Sequence, residues 1–190
     1  MQMVARLALV PVCLTVVCCA AAPGDQRVQA TYDKNTNKLS QLTINSQKDG
    51  QPNIFCYMDG TKFLRIEIDS NEDGKIDRWE YYGADQKLEK VGLSRSNDGK
   101  VDSWVYQAPD GSVARVEVSK HRDGKVDRTE FYERGVLVRT EEDSNRDGRA
   151  DKWETYENGA LATVSFDTKF SGTPDRTIDY RQEALKAPPK

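Results

Sequence analysis

Asp69-Ser70-Asn71-Glu72-Asp73-Gly74-Lys75-Ile76-Asp77-Arg78-Trp79-Glu80-Tyr81-Tyr82 is the stretch on which the reading of this chain turns. Its first half is made of Asp, Asn, Ser and Gly, the residues from which tight turns are built. In its second half Trp79 and Tyr81 point one way, and Arg78 and Glu80 the other, which is the period of a strand. Just upstream, Ile66 and Ile68 share a face while Arg65 and Glu67 take the opposite one. Apolar residues do not recur at the three- and four-residue spacing of a helix.

The pattern repeats outward in both directions. Asp98-Gly99-Lys100-Val101-Asp102-Ser103-Trp104-Val105-Tyr106, Asp123-Gly124-Lys125-Val126-Asp127-Arg128-Thr129-Glu130-Phe131-Tyr132 and Asp147-Gly148-Arg149-Ala150-Asp151-Lys152-Trp153-Glu154-Thr155-Tyr156 follow at a period of about 24 residues. A weaker first copy has Asp49-Gly50 followed by Phe55 and Tyr57, and a decayed last copy has Ser171-Gly172 followed by Asp175, Arg176 and Tyr180. A second set of turns alternates with these: Asp59-Gly60, Pro109-Asp110-Gly111, Arg134-Gly135 and Asn158-Gly159. Such pairs supply the positive φ angles that tight hairpins need. The expectation is an all-β fold: an antiparallel meander of about six tandem β-hairpin repeats, roughly ten to twelve strands, forming an extended twisted sheet.

Phe55, Trp79, Trp104 and Trp153, with Tyr57, Tyr81, Tyr106 and Phe131, are expected on one face, and cross-strand Arg/Glu pairs on the other. The sheet is expected to curl over its aromatic face. The aromatic row reads first as packing and second as a stacking platform for sugars. In their pairing of hairpins the repeats resemble MORN-like bacterial hairpin repeats, whose own consensus is not reproduced here.

Composition agrees with a thin sheet. The chain of 190 residues is 31% charged and 37% hydrophobic, with a formal net charge of -3, and its mean hydropathy is -0.76. Cations and carboxylates are interleaved, so no basic stripe is present to neutralise phosphates and nucleic acid is not an expected partner.

The first residues differ from the rest. Arg6 precedes an apolar run from Leu7 to Val17, about eleven residues and too short to span a bilayer. Small residues follow at Ala20, Ala21 and Ala22, as at the end of a secretory signal peptide. Val16-Val17-Cys18-Cys19 resembles a bacterial lipobox, although Cys18 stands where that pattern has Gly, Ala or Ser. The resemblance implies lipidation at Cys19 and a membrane anchor. Ordinary cleavage near Ala21 is the alternative, and Pro23 disfavours cleavage directly after Ala22. The expected organisation is a lipoprotein-like signal at residues 1–19, a flexible tether at 20–27, the repeat domain at 28–183 and a disordered tail at 184–190, in an exported lipoprotein of the cell envelope, at the outer membrane. Cys56 is left as an unpaired, buried thiol.

Two turns carry a metal-ligand spacing. Asp69-x-Asn71-x-Asp73-Gly74-x-x-Asp77-x-x-Glu80 and Asp143-x-Asn145-x-Asp147-Gly148-x-x-Asp151-x-x-Glu154 resemble the EF-hand calcium loop at every side-chain ligand position. The flanks read as strands and not helices, so the nearer likeness is to helix-free loops of the thrombospondin type 3 kind. If Asp77 opens a strand, Glu80 projects away from it, and Glu80 and Glu154 lose the ligand role that the EF-hand likeness implies. The copies with Ser94, Ser96, Asp98 and Asp102, and with Ser119, His121, Asp123 and Asp127, are eroded. The competing reading is that Asp, Asn, Ser and Gly are what hairpin turns are made of.

Catalysis is not expected. His121 is the single histidine, so neither a Ser/His/Asp set nor a multi-histidine zinc site can be assembled, and no Gly-rich phosphate loop is present. The function expected from sequence is a non-catalytic, calcium-stabilised envelope lipoprotein that meets other envelope proteins or surface glycans. The alternatives are a glycan- or peptidoglycan-binding module and an accessory lipoprotein of a secretion, adhesion or gliding-motility machine.

Overall fold

The computed structural model describes residues 27–46 and 51–181. The signal at 1–19, Cys19, the tether up to residue 26, the Asp49-Gly50 turn and the tail at 184–190 lie outside the described residues. Among the described residues thirteen strands form one antiparallel sheet, each paired only with its neighbours in the chain. They are β1 (Val28–Tyr32), β2 (Leu39–Ile44), β3 (Ile54–Asp59), β4 (Lys62–Ile68), β5 (Arg78–Tyr82), β6 (Leu88–Leu93), β7 (Ser103–Gln107), β8 (Val113–Val118), β9 (Arg128–Glu133), β10 (Val136–Glu142), β11 (Lys152–Glu157), β12 (Ala160–Phe166) and β13 (Arg176–Asp179). The all-β meander expected from the repeat is thus the fold. The β1–β2 hairpin carries the strand number past twelve; its turn bends at Asn37, φ 55°, without an Asp-Gly or Asn-Gly pair to advertise it.

The two edges of the sheet differ. Tight turns lie along one, and beside each of them the register slips by a bulge, as at Thr31/Tyr32, Tyr57/Met58 and Tyr81/Tyr82. A bulge adds local right-handed twist. Along the other edge runs one loop geometry used again and again, with a left-handed residue two positions before a left-handed glycine: Glu72 and Gly74, Asn97 and Gly99, Arg122 and Gly124, Arg146 and Gly148, Phe170 and Gly172. Even the decayed last copy keeps this bend, with a phenylalanine at φ 55°.

Register decides what each face carries. Leu42, Cys56, Ile66, Glu80, Val91, Val105, Val116, Glu130, Thr140, Glu154 and Val164 stand opposite one another in succession. On this face lie the most buried side chains, Val105 and Thr140 at 1% exposure and Val91 at 2%. The next row on the other face runs Phe55, Glu67, Trp79, Gly92, Trp104, Glu117, Thr129, Glu141 and Trp153. Beside it lie Tyr57, Tyr81, Tyr106 and Phe131. The eight aromatic residues expected on one face therefore do share it.

Two corrections follow. Charged pairs occupy both faces: Arg65–Glu67, Arg115–Glu117 and Arg139–Glu141 among the aromatics, Arg78–Glu80, Arg128–Glu130 and Lys152–Glu154 among the aliphatics. The tightest burial, moreover, is on the aliphatic face, because Ile66 pairs across to Glu80 and not to Trp79. The tryptophans are only half-buried. Long cations cover the aromatic rings instead: Arg65 over Tyr57 at 4.3 Å, Arg115 over Tyr106 at 4.1 Å, Arg139 over Phe131 at 4.0 Å, and Lys90 4.7 Å from the Trp104 ring. Each such contact contributes about 0.5–1 kcal/mol at a partly exposed site.

Gly92 is the one position in the row from Phe55 to Trp153 with no side chain. A Cβ there would stand 2.9 Å from Trp104 Cζ3 and 3.1 Å from Val101 Cγ2. Gly92→Ala is expected to cost about 1–2 kcal/mol, since overpacking forces the indole off its rotamer. Urea unfolding followed by tryptophan emission checks this; a neutral or stabilising change would show that Trp104 has room to move.

Candidate functional site

The loops at 69–77 and 143–151 hold Asp69, Asn71, Asp73 and Asp77, and Asp143, Asn145, Asp147 and Asp151, and their hydrogen bonds show how each is used. Asp77 closes its loop: Oδ2 accepts from the Ser70 and Asn71 amides at 2.8 and 3.3 Å, and Oδ1 from the Ser70 hydroxyl at 2.8 Å. Asp151 does the same with the Ser144 amide at 2.9 Å, the Asn145 amide at 3.1 Å and the Ser144 hydroxyl at 2.7 Å. The eroded copies keep the device: Asp102 accepts from the Arg95 amide, Asp127 from the Lys120 amide and Asp175 from the Thr168 amide. This position is a staple between the loop's start and the next strand.

The first position caps the bend. Asp69 Oδ2 and Asp143 Oδ2 accept from the Gly74 and Gly148 amides, each at 2.8 Å, and Asp167 Oδ2 accepts from Gly172. Burial raises the pKa of Asp167, but the Ser171 and Gly172 amides outweigh it and hold the carboxyl below its ordinary value. The third and fifth positions form an inner turn. Asn71 Oδ1 accepts from the Asp73 amide while its Nδ2 donates to Asp73 Oδ2, and Asp73 Oδ1 accepts from the Lys75 amide at 2.9 Å. Asn145, Asp147 and Arg149 repeat this arrangement.

Glu80 and Glu154 are not in the loops. Glu80 accepts from Arg78 and Tyr82 on the aliphatic face. Glu154 accepts from Tyr156 and Thr140 and pairs with Lys152. The glutamate ligand role implied by the EF-hand likeness is thereby corrected: the strand begins after Asp77, and its period carries Glu80 onto the sheet. Among the described residues no three Asp, Glu, His or Cys side chains converge as a ready metal shell.

One atom in the loops stands apart. Asp69 is 6% exposed, and its Oδ1 is buried without a hydrogen-bond partner among the described residues. In the sister loop the corresponding Asp143 Oδ1 accepts from the Arg146 amide at 2.6 Å. The two loops, alike in sequence, differ here. In the eroded copies cations already answer the carboxylates. A cavity of about 200 Å³ between loops 94–102 and 119–127 is lined by Asp98, Asp102 and Asp123 together with Lys100 and Arg122, and Arg146 pairs with Asp123. His121 sets Nδ1 2.9 Å from Asp127 Oδ2.

Cys56 is 3% exposed. Burial first, and then the Glu80 charge, push its thiol up to about 11, far from a reactive thiolate.

No family model and no curated protein matches this chain. Solved structures do. A point mutant of S. aureus TarM in complex with fondaparinux, alpha-GlcNAc-glycerol and UDP is 15% identical, with a TM-score of 0.41 over 52% of this chain and 19% of that one. A GtfA/B complex is 18% identical, with a TM-score of 0.41 over 60% and 21%. A structure of accessory secretory proteins 1, 2 and 3 of Streptococcus pneumoniae is 13% identical, with a TM-score of 0.29 over 78% and 20%. The chain spans about a fifth of the length of these structures.

One of these matches is a chain crystallised with a nucleotide and a sugar derivative. The expectation of a non-catalytic envelope module is corrected and withdrawn with its two alternatives, as is the exclusion of catalysis. The physical reason is plain: a lone histidine excludes histidine chemistry, but says nothing against carboxylates. Likeness at TM-scores this low puts no activity in their place.

Proposed function

We propose that this chain binds calcium on the loop edge of its sheet, with the loop Asp69–Asp77 the principal site, in a protein exported from the cytoplasm. The observation that carries the reading is Asp69 Oδ1, a buried carboxylate oxygen lacking a hydrogen-bond partner among the described residues. Leaving a charged group so placed costs a few kcal/mol unless something compensates it. A hard cation with oxygen ligands compensates it directly. Asp69 would hold the ion, with Asn71 and Asp73 beside it in the same loop. Asp77 would serve from behind by keeping the loop closed, because its oxygens are already engaged by Ser70 and Asn71.

Calcium modules outside the cell work at dissociation constants of roughly 0.1–1 mM, so a site with few carboxylates suits the exported location that Arg6, the apolar run and Ala20–Ala22 suggest. Titration calorimetry with calcium tests the reading. Wild type and Asp143→Asn should both bind, and Asp69→Asn should lose the tighter site. No heat at millimolar calcium, or binding untouched by Asp69→Asn, would overturn it.

A further inference from the structure

We propose that β1 is an open edge that pairs antiparallel with β1 of a second copy of this chain, centred on Ala30, so that two sheets become one. The backbone settles which groups are available. The Arg27 carbonyl accepts from the Asn45 amide at 2.8 Å, and the Asp33 amide donates to the Lys38 carbonyl at 2.8 Å. In an antiparallel ladder the pointing alternates, so Arg27, Gln29, Thr31 and Asp33 turn toward β2. Val28, Ala30 and Tyr32 turn their N–H and C=O groups away from it. Among the described residues no strand takes them up.

Natural sheets protect such an edge with charge, proline or a cover. The other end of this sheet is protected in that way: β13 carries Arg176 and Asp179, and Arg181 Nη2 pairs with Asp179 at 2.7 Å. The sequence of β1 is Val-Gln-Ala-Thr-Tyr, uncharged, and all five residues are exposed, Val28 at 43% and Tyr32 at 56%.

Strand parity selects the partner. Thirteen antiparallel strands leave β1 and β13 running the same way, so head-to-tail stacking of copies would join them as a parallel pair. A two-fold axis through like edges keeps the ladder antiparallel and closes the assembly at two. With the axis at Ala30, Val28 faces Tyr32 of the second copy and Ala30 faces its own counterpart. All the outward N–H and C=O groups then find partners. One step further out, Arg27 comes opposite Asp33 of the second copy at both ends, so the charges complement each other. The aliphatic row through Leu42 and Ala30 continues across the junction on the same face.

Sedimentation equilibrium of the full chain over a concentration series, without added calcium, tests the pairing independently of the metal reading. Wild type should show a reversible monomer–dimer equilibrium. Ala30→Pro, which removes the central outward amide and none facing β2, should be monomeric with unchanged circular dichroism, while Thr177→Pro on β13 should leave the dimer intact. Hydrogen-bonded antiparallel partners stand about 5.5 Å apart between Cα atoms, within disulfide reach. Oxidised Ala30→Cys should therefore run as a covalent dimer, and Gln29→Cys should not. A monomer at every concentration, a dimer that survives Ala30→Pro or is lost with Thr177→Pro, or exchange protection of the β1 amides within a monomer by residues before Arg27 would overturn the proposal.

Discussion

Arg128→Met is expected to destabilise the sheet by about 2–3 kcal/mol at neutral pH, at or below the bottom of the range for breaking a fully buried ion pair because this one is only partly dry. The guanidinium bridges three strands. Its Nε lies 3.0 Å from Glu130, Nη1 3.0 Å from Glu142 and Nη2 3.5 Å from Glu154, and its side chain is 21% exposed. Methionine keeps much of the packing and removes the charge, leaving three carboxylates facing one another on β9, β10 and β11. Lys120 and Lys152 answer Glu142 and Glu154, which caps the loss.

The pH dependence has a definite sign. Burial raises the pKa of Glu154, but hydrogen bonds from Lys152, Tyr156 and Thr140 outweigh it and bring the group to about 2, below its ordinary value of 4.5. A depressed carboxylate contributes stability in full above the unfolded value, and loses it as pH falls through the folded one. Wild type should therefore weaken between pH 4.5 and 2. Without Arg128, repulsion from the neighbouring carboxylates raises the pKa of Glu154, so the variant gives up less on acidification. The gap between the two proteins should narrow as pH falls. Urea is the denaturant to use, since guanidinium would screen the cluster. A gap that is constant with pH would mean that Arg128 acts through packing alone.

The meander could be read from the sequence because its signals are local. Trp79, Glu80 and Tyr81 alternate within one strand, and the bend before them is spelled out by Asp73 and Gly74. What could not be read is pairing. Whether Ile66 meets Trp79 or Glu80 depends on the length of the loop between them, and one residue of slip exchanges the faces. The burial of Val91 and Val105 on a face that also carries Arg78 and Glu80 follows from that register. The β1–β2 hairpin escaped because Asn37 bends it without glycine. At the loops, the spacing of Asp69, Asn71, Asp73 and Asp77 is equally good for ligating an ion and for accepting backbone amides. Only the direction of each carboxylate separates the two, and the folded loop sets that direction.

That difference gives the loop positions unequal weights, and Asp151→Ala against Asp147→Ala measures them. Asp151 is 6% exposed and holds the Ser144 amide, the Asn145 amide and the Ser144 hydroxyl. Its own backbone joins the Glu142 carbonyl to the Asp167 amide. Removing the carboxylate strands two amides; charge-assisted hydrogen bonds contribute about 1.5–3 kcal/mol each, and water reaching the exposed Ser144 and Asn145 returns part of the loss. About 2–3 kcal/mol is expected overall. Asp147 is exposed and accepts from the Asn145 side chain and from the Arg149 amide, so Asp147→Ala should cost under about 1 kcal/mol. Hydrogen exchange should show faster opening of the Ser144 and Asn145 amides in the first variant only. Equal destabilisation of the two in calcium-free buffer would contradict the staple role of Asp151. It would also remove the ground for treating Asp77, Asp102, Asp127 and Asp175 as one repeated device that holds strand to loop along the whole edge.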